Sequence, residues 1–453
     1  MSQIIDVLLV NPGTELKQRG SWNREPPLGL LYLTSILEKK DYLCQLLDLS
    51  IDEREIEEIL EGIPPARIVA FTALTNMIGR TLELTKRVKN WYKARSMADP
   101  VEIIGGAHAT FVYEEILKGS SIDFCILGEA ESGITSFVEI TLSSPKLELI
   151  KARFQEQANP GLELAFLDNN GNLVVKKSNR GPLDELDRIP FPARHVYPLN
   201  RPNHVYDTAT IIVNRGCPNN CIFCSRQALF KKARWRSPEN VLKELEEIHA
   251  MGIYNYYNIY DNLTISKAFM DELLEKMIEN ENLHLPWGAE LRVDMLDEES
   301  VKKLVDANCQ LVATGVESAN PEILKMAGKF QPVEKVAAGL ALLKRAGIPV
   351  QAYFVIGLPG ETRETFEETL EFIKKSPLEP GIDKIDFFAA TPYPGSRLHV
   401  QRNELGLQII DSNYENWDCQ HLICVPPSIT RVDLESIWKQ AKEHEIAFNA
   451  KRI

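Results

Sequence analysis

Strand-like and helix-like segments alternate through residues 1–140 and again from about residue 208. That alternation confines the fold to parallel β/α layers, because parallel strands need a helical crossover between them. In the first series Ile4–Val10, Leu43–Leu49, Ile68–Thr72, Val101–Ile104 and Phe124–Leu127 predict strands. Leu28 to Lys40, Glu53–Gly62 and Arg80 to Lys93 predict helices, the first preceded by Pro26-Pro27. The expected architecture is α/β: a doubly wound parallel sheet of Rossmann or flavodoxin type, with ligands beyond the carboxyl ends of its strands.

Residues 146–205 break the rhythm. Asn169-Asn170-Gly171-Asn172, between Leu162–Leu167 and Leu173–Lys176, predicts a hairpin, and Ile189-Pro190-Phe191-Pro192 demands extended backbone. The stretch reads as a connector packed between domains. Thr210–Asn214, Tyr254–Tyr260, Trp287–Leu291, Leu311–Gly315, Val350–Ile356 and Lys384–Ala389 then predict six further strands. Ser237-Pro238 starts a helix, and Gly252 and Gly347 end helices. Six β/α units fall short of an eight-stranded closure, so a partial (β/α)6 barrel is expected. Trp417 and a final helix near Leu434–Phe448 make a small helical C-terminal cap. The expected division is 1–145, 146–205, 206–400 and 401–453.

Lys and Arg number 51 against 64 Asp and Glu, a formal net charge of −13. Such a chain repels phosphate polyanions, and its basic run Lys231-Lys232-Ala233-Arg234-Trp235-Arg236 is short, so nucleic acid is a poor partner. The apolar run at Ile4–Val10 is interrupted by Asp6 and lacks both the roughly 20 residues of a membrane span and the flanks of a signal peptide. A cytoplasmic protein that does not engage a membrane is the expectation.

Eight cysteines in 453 residues are too sparse for a disulfide scaffold, yet three crowd into Cys217-Pro218-Asn219-Asn220-Cys221-Ile222-Phe223-Cys224. Gly216 and Pro218 permit a tight wrap after the first strand of the second series. Soft thiolates select iron–sulfur or zinc. A structural zinc site needs a fourth ligand at a usual spacing, whereas Cys309, Cys419 and Cys424 are distant singles. A cluster held by three cysteines keeps one iron open.

C-x3-C-x2-C after the first strand of a β/α barrel resembles the radical S-adenosylmethionine enzymes, over roughly residues 208–400. The resemblance implies a 4Fe-4S cluster on Cys217, Cys221 and Cys224, with S-adenosylmethionine on the open iron and cleavage to a 5′-deoxyadenosyl radical. Phe223 matches the aromatic near the adenine, and reads equally as packing. Thr314-Gly315-Val316-Glu317-Ser318-Ala319-Asn320 resembles the family's turn after the fourth strand, which implies Glu317 for the ribose hydroxyls and Ser318 for the methionine carboxylate. Gly288 to Asp294 resembles the third-strand segment, in which Arg292 pairs with a cofactor carboxylate or forms a structural ion pair with Glu290. Gly357-Leu358-Pro359-Gly360-Glu361-Thr362 resembles the turn after the fifth strand, and Glu361-Thr362 also reads as helix capping. Where many members carry Gly-Gly-Glu, this chain has Tyr260-Asp261-Asn262, leaving Asp261 as the carboxylate near the cofactor's amino group.

Residues 1–140 resemble the cobalamin-binding domain fused to one large subgroup of these enzymes. The pieces are Asn11-Pro12, Pro27-Leu28-Gly29, Gly105-Gly106-Ala107-His108-Ala109-Thr110 and Gly128-Glu129-Ala130-Glu131, with Ile189 to Arg194 in the connector. Glycines there let a flat macrocycle lie against bare backbone. Thr72, Thr75 and Asn76 are expected contacts to the nucleotide tail or the corrin amides. No histidine precedes residue 108, so cobalt ligation through Asp-x-His-x-x-Gly is excluded, and His108 reads as a loop hydrogen-bonder. The alternative is a domain that has lost its cofactor.

The function so implied is cobalamin-dependent methyl transfer to an unactivated carbon or phosphinate of a small molecule, with a flavodoxin or ferredoxin as electron donor. Ring closure, ring contraction, dehydration and epimerisation use the same parts, and a non-enzymatic redox sensor is the remote alternative. Methylthiotransferases fit poorly, because only Cys44 and Cys125 precede Cys217. Candidates facing the substrate are Tyr260, Tyr353, the loop Thr391-Pro392-Tyr393-Pro394-Gly395-Ser396, and Cys419 as a hydrogen-atom donor or a packed thiol.

Overall fold

The computed structural model describes residues 4–13, 26–52, 54–156, 161–178, 183–197, 206, 208–252, 254–259, 262–280, 283 and 285–450. Tyr260 and Asp261 lie outside the described residues. The chain forms two compact units, Met1–Val205 and Tyr206–Ile453.

The first unit is built on strands β1 (Ile5–Asn11), β2 (Cys44–Asp48), β3 (Ala66–Thr72), β4 (Val101–Gly105), β5 (Phe124–Leu127), β6 (Glu163–Leu167) and β7 (Leu173–Lys176). They line up as β2-β1-β3-β4-β5-β6-β7, parallel through β5. β1 is hydrogen-bonded to β2 on one side and β3 on the other, so the winding reverses between β1 and β3. That switch point opens a crevice at the carboxyl ends of the strands.

The hairpin expected in the connector belongs to this sheet. β6 pairs antiparallel with β5 and continues into β7. The reason is packing: Leu164 and Phe166 are fully buried, and Phe166 lies 5.3 Å from Phe124 of β5. Phe137 and Phe154 stack at 5.0 Å beneath them. The hairpin both fills this aromatic core and covers the edge that β5 would otherwise expose.

At the amino end of β4 and β5, Glu102 is fully buried beside Asp123 and Lys89, whose Nζ stands 3.5 Å from Glu102. Desolvation pushes the Glu102 carboxyl up to about 8, and Lys89 only partly offsets this. A carboxyl raised in the folded state contributes stability below its unfolded pKa and loses it as pH rises through about 8. Glu102→Gln is therefore expected to gain stability over the parent as pH rises from 5 to 9, by about 1 kcal/mol or more, measured by denaturant unfolding at each pH.

The second unit carries β8 (Thr208–Ile211), β9 (Tyr256–Ile259), β10 (Trp287–Glu290), β11 (Cys309–Glu317), β12 (Val350–Ile356) and β13 (Lys384–Ala389). All six are parallel and adjacent in chain order, the expected partial barrel. Period-two alternation separates its faces. Phe354 and Phe387 are fully buried, with Phe387 edge-on to Phe366 of the helix Arg363–Lys375, while Gln351, Tyr353, Asp386 and Phe388 point the other way and are half-buried. Among the described residues no helix is long and apolar enough to cross a membrane.

The C-terminal helix Arg431–Asn449 gives the cap a role. β13 ends the sheet, and its outward backbone groups bond to side chains of this helix and to a loop carbonyl rather than to a strand. Asn449 accepts from Ile385 N at 3.1 Å and donates to Ile385 O at 2.9 Å, and Glu445 accepts from Phe387 N at 2.8 Å. Ala389 N donates to Cys419 O at 2.8 Å. Asn449→Leu removes two of these bonds and should lower unfolding stability by about 1–3 kcal/mol in denaturant titration.

Candidate active site

After β8 a short ribbon, Asn214–Arg215 paired antiparallel with Arg234–Trp235, closes the loop that holds the three cysteines. Gly216 takes φ +83°, and a Cβ there would run into the Lys232 carbonyl. Buried Arg236 fixes the ribbon's base by pairing with Glu244 and donating to Ile212 O at 2.9 Å. Within the motif, Ile222 N donates to Ala327 O at 2.8 Å and Ile222 O accepts from Leu398 N at 2.7 Å. Its side chain packs with Ile323, Leu358, Ala390 and Leu398, and Phe223 lies partly buried against the same group. The backbone between the second and third cysteines is thereby anchored, and all three thiols are free.

Desolvation pushes the Cys221 thiol up to about 11 and raises Cys224 as well; each also feels Cys217. Without a metal these groups stay protonated near neutrality, so ligation must draw the protons off. Among the described residues no three His, Cys, Asp or Glu side chains converge tightly enough for a single metal ion. A cluster does not need that convergence, since each thiolate takes its own iron. Three free thiols on an anchored loop fit a cluster.

Glu317 stands at the end of β11 with φ +64°, where the pairing with β12 skips a residue. Lys329 Nζ donates to Glu317 Oε1 and to Gly315 O, both at 2.6 Å. Ser318 is buried, accepts from Asn320 N at 3.1 Å and lies 3.4 Å from Thr369 Oγ1 on the flanking helix. Arg292 does not pair with Glu290. Its guanidinium takes Asp294 with two bonds, Nε at 3.1 Å and Nη2 at 2.8 Å, and also donates to Phe330 O at 2.8 Å and Asn219 Oδ1 at 3.4 Å. Arg292 thus clamps the cysteine loop to the loop after the helix Pro321–Met326. Glu290 ends β10, half-buried and in register with Ala313.

Thr362 caps the helix Arg363–Lys375 in a reciprocal box with Thr365. Glu361 beside it is buried and accepts from Thr365 Oγ1 at 2.9 Å; desolvation pushes it up to about 7. Tyr353 is half-buried, its ring edge-on to Phe388 at 5.5 Å. Cys419 takes φ +63°, and its Sγ lies 3.2 Å from Tyr393 Oη at the carboxyl end of β13.

In the first unit Asn11 donates to Asp48 Oδ1 at 2.8 Å, and Tyr197 donates to Asp48 Oδ2 at 2.9 Å, so Asn11 ties the ends of β1 and β2 together. Pro12 is buried beside it, and Leu28 opens its helix facing the core. His108 is buried with Nδ1 3.2 Å from Thr75 Oγ1, which joins the loops after β3 and β4. Gly106 offers no bare backbone: a Cβ there would meet Ala73 O at 2.7 Å and Thr72 Oγ1 at 3.1 Å, so the chain's own loop fills that space. Gly105 stands just before it at the end of β4. Gly29 and Gly128 do face open space. Asn76 and Glu129 are half-buried at the same end, and Leu74 is 54% exposed there.

A radical SAM superfamily model matches residues 211–373, and a B12 binding domain model matches residues 22–138. An uncharacterised methyltransferase of Pyrococcus horikoshii is 30% identical over 405 residues, 87% of this chain and 83% of its own length. The chain belongs to the radical S-adenosylmethionine enzymes with an N-terminal cobalamin-binding domain. An anaerobic magnesium-protoporphyrin IX monomethyl ester cyclase of Rubrivivax gelatinosus is 28% identical over 451 residues, 94% of this chain and 75% of its own. The fold matches TsrM of Kitasatospora setae, a radical S-adenosylmethionine methyltransferase solved with cobalamin and a [4Fe-4S] cluster, with TM-score 0.73 at 17% identity over 98% of this chain and 92% of that one. Cobalamin, S-adenosylmethionine and a 4Fe-4S cluster are the cofactors of this family.

Lys329 and Gln331 reach the end of β11 from the loop after the helix Pro321–Met326 without having carried a sequence signal, because neither lies in a spaced motif. Replacing all three motif cysteines by Ala should abolish cluster iron. Gly216→Ala keeps every thiol but displaces the ribbon, and should lower iron per chain to roughly half or less after anaerobic reconstitution. Iron and sulfide assays read both outcomes; full iron in Gly216→Ala would contradict the ribbon's role.

Proposed function

We propose that this chain moves a methyl group from S-adenosylmethionine, by way of cobalamin, to an unactivated carbon or a phosphinate of a small molecule. The observation that carries this reading is the joining, in one chain, of the anchored three-thiol loop to a doubly wound unit with an exposed switch-point crevice. When bound, the cluster and S-adenosylmethionine supply a substrate-activating radical, and cobalamin carries the methyl group.

The chain's own residues bind and orient. Cys217, Cys221 and Cys224 hold three irons, and Phe223 lies beside the adenine. Glu317 would accept from the ribose hydroxyls, with Glu290 nearby at the end of β10, and Asp261 is the carboxylate assigned to the amino group. Arg292 keeps the cysteine loop seated. Gly29, Thr72, Asn76, Gly128 and Glu129 would border a bound corrin, and His108, buried against Thr75, would hold the loop beneath it. A flavodoxin or ferredoxin delivers the electron in the cytoplasm.

Turnover with S-adenosylmethionine labelled in its methyl group tests the reading. The label should enter product, with S-adenosylhomocysteine and 5′-deoxyadenosine released in about equal amounts. The likeness to the cyclase favours ring closure as the rival. That reaction would give 5′-deoxyadenosine without matching S-adenosylhomocysteine and a product of unchanged or lower mass.

A further inference from the structure

Lys329 belongs to none of the family-like segments, yet the strand end is organised around it. Its side chain is nine-tenths buried between Glu317 and the Gly315 carbonyl, with Nζ at 2.6 Å from each. A buried ammonium is strongly unfavourable unless paired, so its retention needs both contacts. The loop that delivers it is held at successive points. Ala327 O accepts from Ile222 N at 2.8 Å, Phe330 O from Arg292 Nη2 at 2.8 Å, and Gln331 Nε2 donates to Val316 O at 2.9 Å. Gly315 leaves room for the pair as it stands, since a Cβ would press on the Glu317 carboxylate and come within 2.6 Å of Lys329 Nζ, displacing one of them. Glu317 itself occupies a backbone region that non-glycine residues seldom enter.

A plain structural ion pair requires none of this. Strain at a polar residue, a neighbour reduced to glycine and a strapped loop together fix one carboxylate oxygen and leave the direction of the other set. We propose that Lys329 is a positioning residue for the S-adenosylmethionine site: it fixes Glu317 through Oε1 so that Oε2 is aimed to accept from a vicinal diol. The proposal rests on the reading of the barrel as an S-adenosylmethionine site.

The test measures equilibrium binding of S-adenosylmethionine and of its 2′-deoxy analogue to cluster-reconstituted protein. The parent protein should prefer S-adenosylmethionine roughly tenfold, the worth of one well-made hydrogen bond to a charged group. Lys329→Met should lose that preference by weakening S-adenosylmethionine alone, with binding of the deoxy analogue unchanged. Glu317→Gln, which keeps the shape of the site, should likewise bind the two ligands with similar weakness. Equal weakening of both ligands in Lys329→Met makes Lys329 merely structural and overturns the proposal. So does a preserved tenfold preference in either variant, and the Glu317→Gln result stands should Lys329→Met fail to fold. If the parent binds S-adenosylmethionine without distinguishing the analogue, the positioning role falls while the assignment of the site survives. If it binds neither ligand with a full cluster, both fall.

Discussion

Ile222 makes two main-chain bonds, to Ala327 and to Leu398, from the centre of a loop that carries three unpaired thiols. A loop of free thiols has no reason of its own to hold one shape, and desolvation keeps Cys221 protonated until a metal arrives. The shape is imposed from below. Ile222 sits in an apolar group made by elements far apart in sequence, from Ile323 to Leu407. The same bond to Ala327 fixes the loop that brings Lys329 to Glu317 and Phe330 O to Arg292. Cluster loop and cofactor-facing strand end therefore share one anchor, and a change that loosens Ile222 disturbs both.

The fold was largely legible because its signal is local. Val350–Ile356, Lys384–Ala389, Phe124–Leu127 and Leu173–Lys176 appear with the boundaries their apolar runs predict. The placement of the hairpin was not legible. Alternation and an Asn-Gly turn identify two paired strands, but nothing local says which edge they join; only Phe166 meeting Phe124 decides that. The C-terminal helix is similar. Its pattern predicts a helix, while its use of Asn449 and Glu445 to satisfy the outer backbone of β13 depends on a neighbour more than fifty residues earlier.

The candidate site divides the same way. The cysteine spacing is a local statement and carries its chemistry openly. The Glu290–Arg292 pairing assumes that a strand continues, because residues two apart share a face only while it does. β10 ends at Glu290 and the chain enters the short turn Val293–Met295, so Arg292 swings to Asp294 instead. Lys329 was invisible for a further reason: it lies in an aperiodic loop twelve residues beyond its partner, and only burial reveals that the pair exists.

The glycines of the first unit show how far a shared motif can be read. Gly105-Gly106 and Gly128 look alike as strand-end glycines, but the missing side chains serve different needs. At Gly106 the vacated space belongs to the chain itself, since Ala73 and Thr72 pack there and Thr75 reaches His108 across the same junction. That glycine lets the loops after β3 and β4 meet. At Gly128 and Gly29 none of the described residues occupies the space, and exposed Leu74 stands at the same end of the sheet. A flat ligand is admitted where the protein leaves its own backbone uncovered. The filled glycine explains why the loops around it keep their shape.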